Sequence, residues 1–186
     1  MKKILLASQS PRRKELMEKM GFAFELMSVE AEETYPPDLE ASEVAGYVAE
    51  QKSTFYQNIG EDEILLTADT VVVYQNHVFG KPKTCEGART MLRKLSGNTH
   101  DVYTAVSVKT YTERFTFTDK AQVSFFSIDE SEIDYYIKNY APFDKSGAYG
   151  IHDWIGVTKI SAINGNFYTV MGLPTHWVYK TLKELV

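Results

Sequence analysis

The chain has 186 residues, 44% of them hydrophobic, a single cysteine and a formal net charge of −5. That composition excludes a disordered chain and supplies one sizeable core, as one domain or as two lobes around a cleft. The acidic balance, with 20 Lys and Arg scattered along the sequence, argues against a broad nucleic-acid-binding surface, which needs clustered cations to release counterions.

The opening "MKKILLA" imitates the start of a secretory signal, but its apolar run is about four residues where roughly 7–15 are needed. No later run approaches the ~20 apolar residues of a membrane span. "ILLAS" therefore reads as a first buried strand, "PRRKELMEKMG" as a helix and "FAFELMSV" as a strand. Ser10 suits the helix N-cap, Pro11 the first helical position, and Gly21 a left-handed close. Arg12 and Arg13 are the anomaly, because cations in a first turn oppose the helix dipole. Two readings are open. An anion over the helix N-terminus, met by the Ser8 and Ser10 hydroxyls and two guanidinium forks, would offset the charge; alternatively both arginines lie in solvent at a cost of some tenths of a kcal/mol.

"EETYPPDLEAS" reads as a surface loop, with Glu32 and Glu33 as its surface charge. A helix is expected from Ser42 to Asn58, capped by Ser42, with Val44, Tyr47, Val48 and Phe55 on its inward stripe. Lys52 on this helix is by itself an ordinary solvated lysine. "EILLTADTVVVY" is a long strand, "QN" a turn, "HVFG" a short return and "CEGARTMLRKLSG" a helix closed by Gly97. "HDVYTAVSVKT", "ERFTFTDKAQVSFF" and "WIGVTKISAINGNFYTV" are rich in β-branched and aromatic residues, with "SEIDYYIKNY" and "PTHWVYKTLKEL" as helices between and after. The pattern predicts a mixed α/β protein on a long twisted sheet, with two lobes and a groove between them.

Asp69 interrupts the most apolar strand. Val71, Val72 and Val73 follow without alternation, which suggests burial on both faces and favours a metal ligand or general base over an outward-facing residue. The hairpin would bring Lys81 back beside Asp69 and Thr70, with Pro82 ending the return strand and leaving Lys81 at a sheet edge. "DKSGAYGIHDWIG" could bring backbone N–H groups near a ligand but matches neither GxxxxGK[ST] nor GxGxxG. His77, His100, His152 and His176 lack zinc spacing, so a metal here would be a hard cation bound by oxygens. Cys85, alone, makes no internal disulfide and points to a reducing cytoplasm. No histidine stands near it in sequence to make it a nucleophile.

Together "LLASQSPRRKELMEKMG", "VAEQKS", "LLTADTVVVYQNHVFGKP", "RKLSGNTHDVYTAV", "FDKSGAYGI" and "GNFYTVMGLP" resemble, in order and over essentially the whole chain, the Maf family of nucleoside triphosphate pyrophosphatases. The resemblance implies one domain over residues 1–186 with two lobes around a deep cleft, and a mixed α/β fold like that of the inosine triphosphate pyrophosphatases. It also implies frequent homodimers and a link to septum formation and division arrest. The implied reaction cleaves a nucleoside triphosphate to the monophosphate and pyrophosphate with a divalent cation, Mg²⁺ or Mn²⁺. Position by position, the family's phosphate-loop residues fall on Ser8, Arg12 and Arg13, its acidic loop residue on Glu33, its cleft lysines on Lys52 and Lys81, and its catalytic aspartate on Asp69. Asp69 and Glu33 are the implied metal ligands.

"ADT" resembles the branch acting on dTTP, UTP and modified pyrimidine nucleotides, whereas a 7-methyl-GTP branch carries glutamine in place of Thr70. Arg12, Thr70 and the position after "GAYGI" are the family's specificity positions. There this chain has His152, followed by Asp153, where the pyrimidine branch has glutamine followed by glycine. Histidine's ring nitrogens still offer a donor and an acceptor to a base edge. A nucleotide-binding regulator of division with little hydrolysis is the alternative in a different class, and an intact Asp69 speaks against it. The implied partner is a small nucleoside triphosphate, without stable nucleic-acid or membrane binding.

Overall fold

A computed structural model of the chain describes residues 2–28 and 33–186. The run Ile4, Leu5 and Leu6 forms β1 (Lys3–Ala7), buried from Ile4 onward. Apolar on both faces, it lies inside a parallel ladder, between β2 (Phe24–Met27) and β3 (Glu63–Tyr74), with Leu6 opposite both Leu26 and Leu66. β2 is shorter than "FAFELMSV"; Val29 and, in the loop beyond, Glu32 lie outside the described residues. Between β1 and β2 runs α1 (Pro11–Lys19), with Pro11 in its first turn and Gly21 at φ +80° just past its end, as the sequence predicts.

α2 (Val44–Thr54) is a correction. Its N-cap is Glu43 without a side-chain bond, and its buried face is Val44, Ala45, Val48, Ala49 and Ser53, while Tyr47 and Phe55 are exposed. Ala45, Ala49 and Ser53 are fully buried on this face, and beside it a Cβ on Gly46 would lie 3.2 Å from the Thr118 hydroxyl.

Gln75 and Asn76, at φ 50° and 62°, make the tight turn into β4 (His77–Phe79), which pairs antiparallel with β3 and stops at Val72 opposite Phe79. Lys81, exposed, lies past this ladder. α3 (Cys85–Leu95) is capped by the Thr84 side chain, which accepts from the Gly87 N–H. β5 (Thr99–Lys109), β6 (Arg114–Phe125), α4 (Glu130–Tyr140, with a full capping box of Asp129 and Glu132) and α7 (Thr175–Leu185) follow the sequence reading.

The stretch "WIGVTKISAINGNFYTV" does not read as its β-rich composition suggests. It forms α5 (Trp154–Lys159), the short β7 (Ile160–Asn164) and α6 (Phe167–Met171). Tertiary packing overrides propensity here: Ile155 is fully buried, and the Asn166 carboxamide oxygen accepts the Tyr168 N–H at the start of α6.

Among the described residues the strands make a seven-stranded sheet in the order β2-β1-β3-β5-β6-β7, with β4 on β3. The chain divides into two compact units: Met1–Thr70, Thr104–Asp119 and Gly172–Val186 form one, Val71–Tyr103 and Lys120–Met171 the other. In the first, Leu5, Ala7, Ile59 and Leu65 make a core cluster that Met27 and Tyr56 cover. In the second, the core gathers Val72, Leu92, Val123, Phe125, Ile133 and Tyr149 among others. Each fully buried aliphatic contributes roughly 1.5–3 kcal/mol. No helix among the described residues is long and apolar enough to cross a membrane.

Candidate active site

In the first unit, β3 carries Asp69 in a run buried on both faces, and the residue is only 8% exposed. A carboxylate so placed is costly unless a cation meets it. Lys52, in the last turn of α2, does so, its Nζ donating to Asp69 Oδ1 at 2.7 Å and to Glu33 Oε1 at 3.0 Å. The ammonium thus bridges the two carboxylates, one from a strand and one from the loop before α2. Burial pushes the Asp69 carboxyl above the usual carboxylate range, while Lys52 and then Arg13 pull it back and Glu33 pushes it further up. A carboxylate held high by burial with cations at hand is a candidate proton acceptor.

The first turn of α1 supplies the remaining pieces. Ser10 is the N-cap by backbone geometry but makes no side-chain cap; its N–H instead donates to the Ser8 hydroxyl at 3.2 Å. Arg13 donates from Nε to the Gly172 carbonyl at 2.7 Å. It donates from Nη1 to the Ala68 carbonyl at 3.0 Å and Ser8 Oγ at 3.4 Å, and from Nη2 to Thr70 Oγ1 at 3.2 Å. Burial lowers the guanidinium's pKa, Asp69 raises it and neighbouring Arg12 lowers it. Thr70 Oγ1 also meets Thr104 Oγ1 at 3.0 Å. Neither solvated arginines nor an anion alone describes this helix start, because Arg13 is engaged with protein acceptors.

Of the residues singled out in the sequence, Ser8, Arg13, Glu33, Lys52, Asp69 and Thr70 are joined by hydrogen bonds and charge into this cluster, with Arg12 beside Arg13 on α1. Lys81 and His152 belong to the second unit. There, His152 Nε2 lies 3.3 Å from Asp153 Oδ1, and Asp153 Oδ2 accepts from the Tyr136 hydroxyl at 2.7 Å. Trp154 packs edge-on against Tyr135. The sequence reading gave no role to Gly172, Ala68 or Thr104. Gly172 carried a signal in "VMGLP", since it stands at φ +108°, where side chains are strained, but the Ala68 carbonyl carries none in any alphabet of side chains.

Among the described residues no group of three or more His, Cys, Asp or Glu is arranged to hold a metal. Asp69 and Glu33 nonetheless share one positive charge in Lys52, and two hard carboxylates completed by substrate phosphate oxygens suit Mg²⁺ or Mn²⁺. The residues present fit such a cation.

The chain matches the family model described as Maf-like protein over residues 3–185. It is 45% identical to a Phocaeicola vulgatus protein named dTTP/UTP pyrophosphatase, over 98% of this chain and 96% of that one. It is 43% identical to a Flavobacterium johnsoniae protein of the same name, over 99% and 95%. Among solved structures, that of a HAM1 protein from Coxiella burnetii aligns with a TM-score of 0.56 at 14% identity, covering 99% of this chain and 100% of that one, a likeness of fold.

Proposed function

The chain belongs to the Maf family, and on that premise we propose that it hydrolyses nucleoside triphosphates, dTTP, UTP and modified pyrimidine nucleotides above all, to the monophosphate and pyrophosphate. The observation that carries the reading is the buried Asp69 joined through Lys52 to Glu33. Water attacks the α-phosphorus, the bond to the bridging oxygen breaks and pyrophosphate leaves; Asp69 orients the water and accepts its proton. Asp69 and Glu33 would hold the divalent cation, which when bound supplies Lewis-acid neutralisation of phosphate charge. Arg12, Lys52 and Lys81 offset charge on the phosphates, and the Ser8 hydroxyl and the N-terminal end of α1 receive phosphate oxygens.

Arg12, Thr70 and His152 are the base-reading positions of this proposal, with His152 loosening the preference that glutamine would give. In the same reading the two compact units are lobes of one Maf-like domain spanning 1–186, the chain pairs as a homodimer and the compartment is the cytoplasm. Clearing of surplus or modified nucleotides, with its link to division arrest, is the role that follows. Pyrophosphate release from a panel of dTTP, UTP, purine triphosphates and 7-methyl-GTP, with Mg²⁺ or Mn²⁺, tests the activity. Turnover led by the pyrimidine nucleotides supports the reading. Nucleotide binding without release from any of them overturns it in favour of a binding regulator.

A further inference from the structure

The resemblance makes Arg13 a phosphate ligand, yet most of its guanidinium is engaged by the protein. A guanidinium has five N–H groups in one rigid plane. Here one from Nε goes to Gly172, two from Nη1 to Ala68 and Ser8, and one from Nη2 to Thr70, which makes four. Two of those acceptors, the Ala68 carbonyl and the Thr70 hydroxyl, belong to the residues on either side of Asp69 in β3. The fork therefore grips the strand across the residue whose carboxylate the chemistry needs.

The grip is reinforced at both ends. Thr104, fully buried on β5, meets the Thr70 hydroxyl at 3.0 Å. Gly172 presents its carbonyl from φ +108°, and a Cβ there would lie 3.4 Å from Thr70 Oγ1 and 3.8 Å from Arg13 Nε. The guanidinium of α1 thus joins the Ser8 loop, β3 and the turn before α7, and β5 joins at one remove through Thr104 on Thr70.

We infer that Arg13 is a positioning residue: its guanidinium fixes the β3 segment that carries Asp69, with Thr104 steadying the Thr70 end, and it does not neutralise the substrate's phosphates. The inference rests on the role given to Asp69 above. It separates cleanly from a charge role, because lysine keeps the charge but cannot reproduce a planar fork. Misplacement of a reacting group by about 1 Å costs on the order of 10²-fold in rate.

The test measures kcat and KM for dTTP, and separately the affinity for α,β-methylene-dTTP with Mg²⁺, in wild type, Arg13→Lys, Arg13→Gln, Thr104→Val and Thr104→Ser. Positioning predicts that both Arg13 variants lose about 10²-fold in kcat while KM and analogue affinity stay within about twofold. Thr104→Val loses several-fold in kcat, and Thr104→Ser, which restores a hydroxyl, recovers it. If Arg13→Lys restores turnover, or if Arg13→Gln weakens analogue binding tenfold or more, Arg13 is a phosphate ligand and the inference is overturned. Should Arg13→Gln fail to fold, Arg13→Lys and the Thr104 pair decide by the same criteria. Wild-type protein that releases no pyrophosphate overturns the enzymatic reading instead, and analogue affinity then judges Arg13 alone.

Discussion

Two buried polar centres, one in each unit, show opposite solutions to the same problem. Asp69 is 8% exposed and keeps company with charge: an ammonium at 2.7 Å and a guanidinium that binds its chain neighbours. His100 is 2% exposed and keeps company with rings, tilted 5.2 Å from Phe125 and edge-on 5.4 Å from Tyr149. Its Nε2 meets the Tyr149 hydroxyl at 2.8 Å, while Nδ1 is buried with no hydrogen-bond partner among the described residues. Burial drives its pKa down to about 4, with only Asp101 opposing. The difference teaches that burial alone turns a titratable group into neutral packing material. Burial beside cations instead raises the carboxyl while Lys52 and Arg13 pull it back, which leaves a group able to take a proton.

The largest expected effect breaks the charged centre. Asp69→Asn keeps shape and removes the proton acceptor, so turnover should fall by roughly 10²–10⁴-fold with the fold intact. A purified variant with near wild-type kcat would move the role to Glu33. Next, Arg12→Ala and Lys81→Ala should each cost roughly 1.5–3 kcal/mol in kcat/KM, the loss of a charge-assisted contact. Thermal stability should barely change in either; a large fall in melting temperature with unaltered kinetics would make these residues structural.

The neutral centre predicts a pH effect on stability rather than on chemistry. An unfolded histidine takes its proton near pH 6.5 and folded His100 only near 4, so between those values the unfolded chain holds more protons. Stability present above pH 6.5 is therefore lost on acidification, by about 2 kcal/mol at pH 5. Urea unfolding at pH 7.5 and 5 reads this against His100→Gln, which does not titrate; equal losses in the two proteins would exonerate His100. The smallest effect is expected at His152, where a ring nitrogen stands for an amide. His152→Gln should sharpen the ratio of kcat/KM for dTTP over a purine triphosphate by a few-fold, and an unchanged ratio would leave base reading to Arg12 and Thr70.

What could be read from the sequence was what side-chain pattern controls. β3 and the turn after it were legible because a twelve-residue strand rich in Ile, Leu and Val ends in a pair, Gln75 and Asn76, that takes positive φ. Asp69 was legible because a charge in that run has no comfortable alternative. Thr70 and Lys52 became meaningful only through the resemblance, since a threonine and a helical lysine are unremarkable alone. The inward face of α2 differs from the sequence pattern because aromatics outrank alanines in any hydrophobic pattern, whereas Ala45, Ala49 and Ser53 are the residues packed inside. α5 and α6 were missed because their β-branched residues favour strands locally and packing decides otherwise. Arg13's partners were out of reach, two of them being backbone carbonyls.

The division of the chain also orders events during synthesis. The first unit opens at the N-terminus but is not complete until Gly172–Val186 has been made, whereas the second ends at Met171. A ribosome therefore finishes the later unit before the earlier one, and the nascent first unit waits with Val178 and Leu182 of α7, both destined for full burial, still unmade. The Gly172 carbonyl that receives Arg13 Nε emerges only after the whole second unit. A chain stalled or cut before that point holds Ser8, Arg12, Arg13, Glu33, Lys52, Asp69 and Thr70 and lacks the closing contact, so premature termination should yield an inert, protease-sensitive product rather than a weakened enzyme.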